Sequence, residues 1–352
     1  MRVLIVEPSG GLWGSERALL DLIEAASGLE VAVCCPPCTP LIGELERRGI
    51  KVLPWFVERL HEKTRWSRFQ AAIGVLRACL TFRPDVLHIN QAGAWRVTLP
   101  ASTLLNLPVV CHVRIFEDAA YLASRRPHPR RLRAIIAISG AVENELRTFK
   151  EISAIPIYQV YDAYVAAPTA HSTCHTRRRI ACVGRVTPIK GQHLLIQAQM
   201  LSNDAEAVEC LIIGDGEADY MSQLKAASPP SVQWLGFVSD VAGVLRTCGV
   251  LACPSHREPL GRVIFEAWDA GAVPVVFSGA GGSAEIVAAS GGGLIYFEQT
   301  PEALSKALVV AVSMDEEEAA RLVANGRGWL EANCAPAPYG RAVANVLAKV
   351  VA

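Results

Sequence analysis

The sequence predicts an α/β chain made of two doubly wound, Rossmann-like domains, and three observations carry that expectation. Short β-branched runs alternate with longer stretches of helical period along nearly the whole chain. The strand runs are apolar throughout rather than alternating, as in parallel strands covered on both faces. The alternation is interrupted once, over residues 161–178, and then restarts. At 352 residues the chain is long enough for two domains with full cores.

Taken in order, strands are expected at 2–6, 30–34, 51–53, 85–89, 108–113, 134–138 and 157–160. Helices are expected near 15–27, 40–48, 67–82, 94–106 and 140–149. The stretch 161–178 is polar, lacks periodicity and contains Pro168, which reads as a linker. Beyond it come strands 179–183, 208–213, 231–235, 249–252, 273–276 and 293–296. Helices 190–201, 217–227, 240–247, 260–270 and 283–289 lie between them, and helices 301–313, 315–332 and 337–351 close the chain. The expected division is an N-terminal domain at 1–165, a linker at 166–178, a second domain at 179–335 and a final helix at 336–352. Two successive α/β domains leave a cleft between them, a favoured place for a ligand.

Composition narrows the class. Apolar residues make up 51% and charged residues 19%, so the chain is globular rather than disordered. Lys+Arg and Asp+Glu both number 34, and no global charge argues for nucleic acid. Residues 1–170 carry 20 basic and 16 acidic side chains, a balance of +4, and the remainder carries −4. A basic half suits phosphates or an anionic membrane surface, and ordinary scatter explains it equally well. The eleven cysteines form no paired-ligand framework; most fall in apolar runs and read as small buried hydrophobes in a reducing cytoplasm. The opening Met-Arg-Val-Leu-Ile-Val-Glu reads as a strand, too short for a signal segment, and no run of ~18 apolar residues suggests a membrane span.

The most informative stretch is Cys253-Pro-Ser-His-Arg-Glu-Pro-Leu-Gly-Arg-Val-Ile-Phe-Glu266, which sets Glu258 in a loop and Glu266 in the helix it feeds. Free N–H groups and the dipole make such a helix start an anion site, and two carboxylates beside it suit a ligand with both phosphates and hydroxyls. Gly184, Arg185 and Lys190 bracket the loop after strand 179–183; two cations there suit a diphosphate, or are simply solvated. Gly214-Asp-Gly ends another strand and allows a tight turn. Gly279-Ala-Gly-Gly-Ser-Ala-Glu285 can expose N–H groups as a nest. In the first half, Gly10 and Gly11 follow strand one but do not match a dinucleotide fingerprint. His112 ends an apolar strand and reads either as a ligand to sugar hydroxyls or as a satisfied structural histidine. The run Arg125, Arg126, Arg130, Arg131 and Arg133 is either a solvated face or a contact for a phosphate-bearing acceptor or membrane.

These motifs, in this order, resemble glycosyltransferase family 4, retaining enzymes of the GT-B fold, and the resemblance covers nearly the whole chain. It implies two Rossmann-like domains facing across a cleft. It implies no cofactor and no metal, with a nucleotide-diphosphate sugar as donor and a saccharide or lipid-linked saccharide as acceptor. Arg185 and Lys190 would hold the diphosphate, Glu266 the ribose and Glu258 the donor sugar. The amides around Leu260 and Gly261 would hold sugar and phosphate, Gly10 and Gly11 would admit diphosphate and acceptor, and His112 would face the sugar. The last helix would cross back to the first domain, and the enzyme would work in the cytoplasm or at the inner membrane face in polysaccharide or glycolipid synthesis. Leu260 stands where the family often has Phe. A sugar-nucleotide epimerase of the same fold and a non-catalytic nucleotide-sugar-binding protein are the alternatives.

Overall fold

The computed structural model describes residues 1–12, 14–26, 28–55, 64–166, 176–201 and 208–351. The chain divides into two compact units, Met1–Val165 with Asn333–Ala352, and Ala166–Ala332.

The first unit contains β1 (Arg2–Val6), α1 (Gly14–Ala25), β2 (Glu30–Cys34), α2 (Pro40–Arg47), β3 (Lys51–Val52), α3 (Arg65–Phe82), β4 (Val86–Ile89) and α4 (Trp95–Leu105). It continues through β5 (Val109–Val113), α5 (Phe116–Ser124), β6 (Leu132–Ala137), α6 (Gly140–Arg147) and β7 (Ile157–Gln159). Its strands pair in parallel in the order β3-β2-β1-β4-β5-β6-β7. Residues 3–6 are all buried, as continuous apolar strands in a covered sheet must be. The second unit contains β8 (Thr176–Val183), α7 (Gln192–Met200), β9 (Glu209–Ile213), α8 (Ala218–Ala226), β10 (Val232–Gly236), α9 (Val241–Leu245) and β11 (Cys248–Cys253). It then runs through α10 (Arg262–Ala270), β12 (Val273–Phe277), α11 (Gly282–Ser290), β13 (Leu294–Tyr296) and α12 (Pro301–Ser313) to α13 (Glu316–Cys334), whose end enters the first unit with α14 (Pro336–Val351). Its sheet order is β10-β9-β8-β11-β12-β13, again parallel.

In each sheet the sequential order of the strands reverses beside the unit's first strand, between β1 and β4 and between β8 and β11. Loops leaving the carboxyl ends diverge there and open a crevice, the usual ligand position in such sheets. Tyr339, Val343, Val346 and Leu347 of α14 are buried in the same core as Val3, Ile5 and Leu19. Gly340 lets α14 approach α1 so closely that a Cβ would overlap the Ala25 carbonyl.

Two expectations need correction. Helix α5 was not foreseen, because it is short and Ile115 offers no side-chain cap, although Phe116, Ala119, Leu122 and Ala123 have helical spacing and are buried. The stretch expected as linker is also not uniformly so. Asp162 is buried and ion-paired, and β8 already begins at Thr176. Residues 167–175, the middle of the expected linker, lie outside the described residues.

Candidate functional site

In the second unit, loops at the carboxyl ends of β8, β9, β11 and β12 interlock. Gly184 and Gly214 carry φ of +145° and +136°, and a Cβ on Gly214 would overlap the Gly184 carbonyl. Only glycine meets both demands. Val186 N donates to the Asp215 carbonyl at 2.9 Å, fixing the loop after β8 against the one after β9. Gly191, at φ +73°, starts α7 and abuts the Pro254 carbonyl, while His256 N donates to the Ile189 carbonyl at 2.8 Å. The loop carrying Lys190 is thus stitched to the loop carrying Glu258.

Lys190 Nζ donates to a Glu258 carboxylate oxygen, which also accepts from Ser255 Oγ at 3.3 Å. Burial works against the ammonium charge, but Glu258 outweighs it, and the Lys190 pKa is raised. Glu258 is itself held at both backbone ends, its N–H donating to the Ala280 carbonyl at 2.6 Å and its carbonyl accepting from Gly282 N at 2.8 Å. Two helices start beside it. Helix α10 begins after Gly261, at φ +87°, and α11 after Gly281, at φ +91°; neither has a side-chain cap. A Cβ on Gly261 would stand 3.0 Å from Ser283 Cβ and 3.4 Å from Glu258 Cγ, so both helix starts stand beside Glu258. Ser283 Oγ, in the first turn of α11, is buried and has no hydrogen-bond partner among the described residues. Leu260 is buried, Glu266 is half-buried on α10, and Arg185 is exposed with no ion-pair partner among the described residues. Cations, helix starts without a side-chain cap and one fixed carboxylate are an arrangement whose chemistry suits an anionic, hydroxyl-bearing ligand.

The first unit places its polar residues differently. Glu7, fully buried at the end of β1, accepts from Asn90 Nδ2 at 2.5 Å, from Gln91 Nε2 at 2.8 Å and from Ser9 N at 2.8 Å. Burial raises its pKa to about 8, against the pull of these donors. Arg114 Nε donates to the Asn90 carbonyl at 3.2 Å, its NH2 to Asn90 Oδ1 at 3.0 Å, and its NH1 to Asp162. Arg114 is buried, and Asp162 outweighs the burial penalty and keeps it cationic.

Gly10, Gly11 and His112 belong to this unit, and the residues gathered around Glu258 belong to the second. Gly10 is needed for packing, since a Cβ there would run into Thr39. His112 is fully buried on β5, with Nδ1 3.4 Å from an Arg114 nitrogen and its ring 5.5 Å from that of His88. Burial, then Arg114 and His88, hold it neutral; His88 is likewise held down to about 3. In the basic run, Arg125 stacks on Tyr121 at 4.6 Å and Arg131 donates to Ser102 O at 3.2 Å and Asn106 Oδ1 at 2.8 Å. Two of the five arginines read as either a solvated face or a phosphate or membrane contact are therefore held by protein partners.

Sequence reasoning gave no site role to Glu7, Asn90, Gln91, Arg114 or Asp162. The signal for the first four was polar residues terminating three apolar strands, β1, β4 and β5, that prove adjacent in the sheet; Asp162, beyond β7, had no such signal.

Two family models match the chain: Glycosyl transferase 4-like domain over residues 14–161 and Glycosyl transferases group 1 over residues 169–329. Among curated relatives, the putative glycosyltransferase YtcC of Bacillus subtilis is 29% identical over 170 residues, covering 44% of this chain and 41% of that protein. The GDP-mannose-dependent monoacylated alpha-(1-6)-phosphatidylinositol monomannoside mannosyltransferase of Corynebacterium glutamicum is 30% identical over 180 residues, covering 48% and 46%. The matched regions thus span less than half of these relatives' own length. Among solved structures, Anabaena HepE in complex with UDP and glucose superposes with TM-score 0.83 at 21% identity, covering 99% of this chain and 100% of that one. Sucrose-phosphate synthase from Thermosynechococcus elongatus superposes with TM-score 0.79 at 16% identity, covering 99% of each. These structural likenesses speak for the two-domain fold.

Proposed function

The chain belongs to the GT-B glycosyltransferases of the group 1 and 4-like type, and from that premise we propose that it transfers a sugar, with retention and without a metal, from a nucleotide-diphosphate sugar to a hydroxyl. The observation that carries this reading is the Lys190–Glu258 pair set beside the uncapped starts of α10 and α11. Lys190 stays protonated and, with the exposed Arg185, takes the diphosphate. As the glycosidic bond breaks, negative charge grows on the leaving phosphate; Lys190, Arg185 and the positive ends of the α10 and α11 dipoles stabilise it where it develops. Glu258, fixed at both backbone ends, orients the sugar hydroxyls and shares Lys190 with the phosphate. Glu266 takes the ribose, and the backbone around Leu260 and Gly261 lines the sugar. The first unit, with Gly10 and Gly11, serves the acceptor, a saccharide or lipid-linked saccharide, while the fully buried His112 packs behind the strand ends rather than touching it. The relatives act on or bind different nucleotides, GDP-mannose in the Corynebacterium enzyme and UDP in HepE, and both donors belong in a screen.

The test is calorimetric titration of UDP, GDP and ADP, followed by turnover with the sugar donors of whichever nucleotide binds. Lys190→Ala and Arg185→Ala should each weaken nucleotide binding. Unchanged affinity in both variants would remove the diphosphate role, and wild-type turnover by Glu258→Gln would remove that residue from the site.

A further inference from the structure

Helix α3 turns large apolar side chains outward. Trp66 is 65% exposed, Phe69 54%, Ile73 42% and Leu80 58%, while its inner face is made of Ala71, Gly74, Val75, Ala78, Cys79 and Phe82. A helix on a parallel sheet is expected to bury its large residues and expose polar ones. At 100° per residue the four exposed side chains fall within about 60° of arc and run most of the length of an 18-residue helix about 27 Å long. Isolated exposed hydrophobics are ordinary; a continuous stripe led by a Trp–Phe pair with ring centroids 5.7 Å apart is an interaction surface.

Charge identifies the occupant. Arg65 stands one turn before Phe69, Arg77 one turn after Ile73, and both are exposed; Arg68 is the third cation, and the helix from Arg65 to Phe82 contains no Asp or Glu. A stripe of Trp, Phe, Ile and Leu bordered by arginines suits a bilayer interface, where aromatic rings sit at headgroup depth and arginines meet lipid phosphates. We propose that the exposed face of α3 docks the first unit on an anionic membrane surface, with Trp66, Phe69, Ile73 and Leu80 entering the headgroup region and Arg65 and Arg77 on its phosphates. Docking through α3 is independent of the transferase reading, because vesicle binding is measured without turnover.

The experiment is co-sedimentation of the full chain with vesicles of phosphatidylcholine alone and of phosphatidylcholine with phosphatidylglycerol, at low and high salt. Wild type should bind the anionic vesicles, and salt should weaken binding. Trp66→Ser with Phe69→Ser should lower the partition coefficient by about tenfold or more. Arg65→Gln with Arg77→Gln should lower it at low salt, whereas Arg126→Gln with Arg130→Gln, in the other basic run, should bind as wild type. Equal binding by wild type and the Trp66/Phe69 variant overturns the assignment, as does equal affinity for neutral vesicles or no binding at all. Concentration-dependent self-association in ultracentrifugation that this variant abolishes would assign the stripe to a second copy instead. Circular dichroism melting separates either result from misfolding.

Discussion

The two units share a strand order over six strands, the first unit adding a seventh, and place polar residues at the same reversal point, yet they use them oppositely. Around β1, β4 and β5, Glu7, Asn90, Gln91, Arg114 and Asp162 satisfy one another, and all but the half-buried Gln91 are closed to solvent. Around β8 and β11, one carboxylate and one ammonium pair, Arg185 faces solvent, and two helix starts have no side-chain cap. A buried network lends rigidity and positions a loop; an under-satisfied one leaves donors for a ligand. The difference lies in how many donors lack an internal acceptor rather than in residue type.

The comparison breaks most sharply at the Arg114–Asp162 pair. Asp162→Ala leaves a buried guanidinium uncompensated and should cost about 3–5 kcal/mol in urea unfolding. A loss near zero would mean that the first unit's cluster is not closed. Lys190→Ala should do the reverse, lowering kcat by about a hundred- to a thousandfold while leaving the unfolding midpoint nearly unchanged. Gly191→Ala tests the stitching of the loops. A left-handed backbone and the Pro254 carbonyl both oppose a Cβ there, so stability should fall by about 1–3 kcal/mol and nucleotide affinity with it.

Titration separates the units further. The raised pKa of Glu7, about 8, and of Asp118, about 6, favour the folded state at low pH, and that stability is lost as pH rises through those values. The depressed pKa values of His88 and His112 act oppositely, contributing stability above about 6.5 that is lost as pH falls below it. Stability should therefore peak near pH 6.5 and decline toward pH 8, by at most about 1.4 kcal/mol per pH unit for the single proton on Glu7. Urea midpoints at pH 6.5, 7.2 and 8.0 (conditions about a unit apart or less) should show the decline. Glu7→Gln should flatten it, and an unchanged slope would assign it to other groups. The smallest effect is expected at Ser139, whose Oγ accepts from Val142 N at 3.1 Å to cap α6; Ser139→Ala should cost about 1 kcal/mol without touching nucleotide binding.

Legibility followed the same divide. Gly184 to Gly191, Pro254 to Glu266 and Gly279 to Glu285 are short contiguous runs in which glycines and charges mark each loop, so the second unit's residues could be named from their motifs. In the first unit Glu7 meets Asn90 across 83 positions and Arg114 meets Asp162 across 48, and no local pattern joins them. The face of α3 was hidden for a related reason. Helical period identifies α3 as a helix, but with small residues on one side and large ones on the other it does not say which side meets the sheet.

By itself the sequence determined the alternation of elements, the parallel character of the strands and the loops where charge and glycine gather. Those are properties of neighbours along the chain, set by backbone sterics and apolar period. Tertiary structure alone decided which polar groups spend their hydrogen bonds on each other, that Lys190 rests on Glu258, that His112 is sealed beside Arg114, and that Trp66 and Phe69 face outward. Each of those depends on which strands lie side by side, and strand order is settled by the packing of the whole sheet rather than by any single segment.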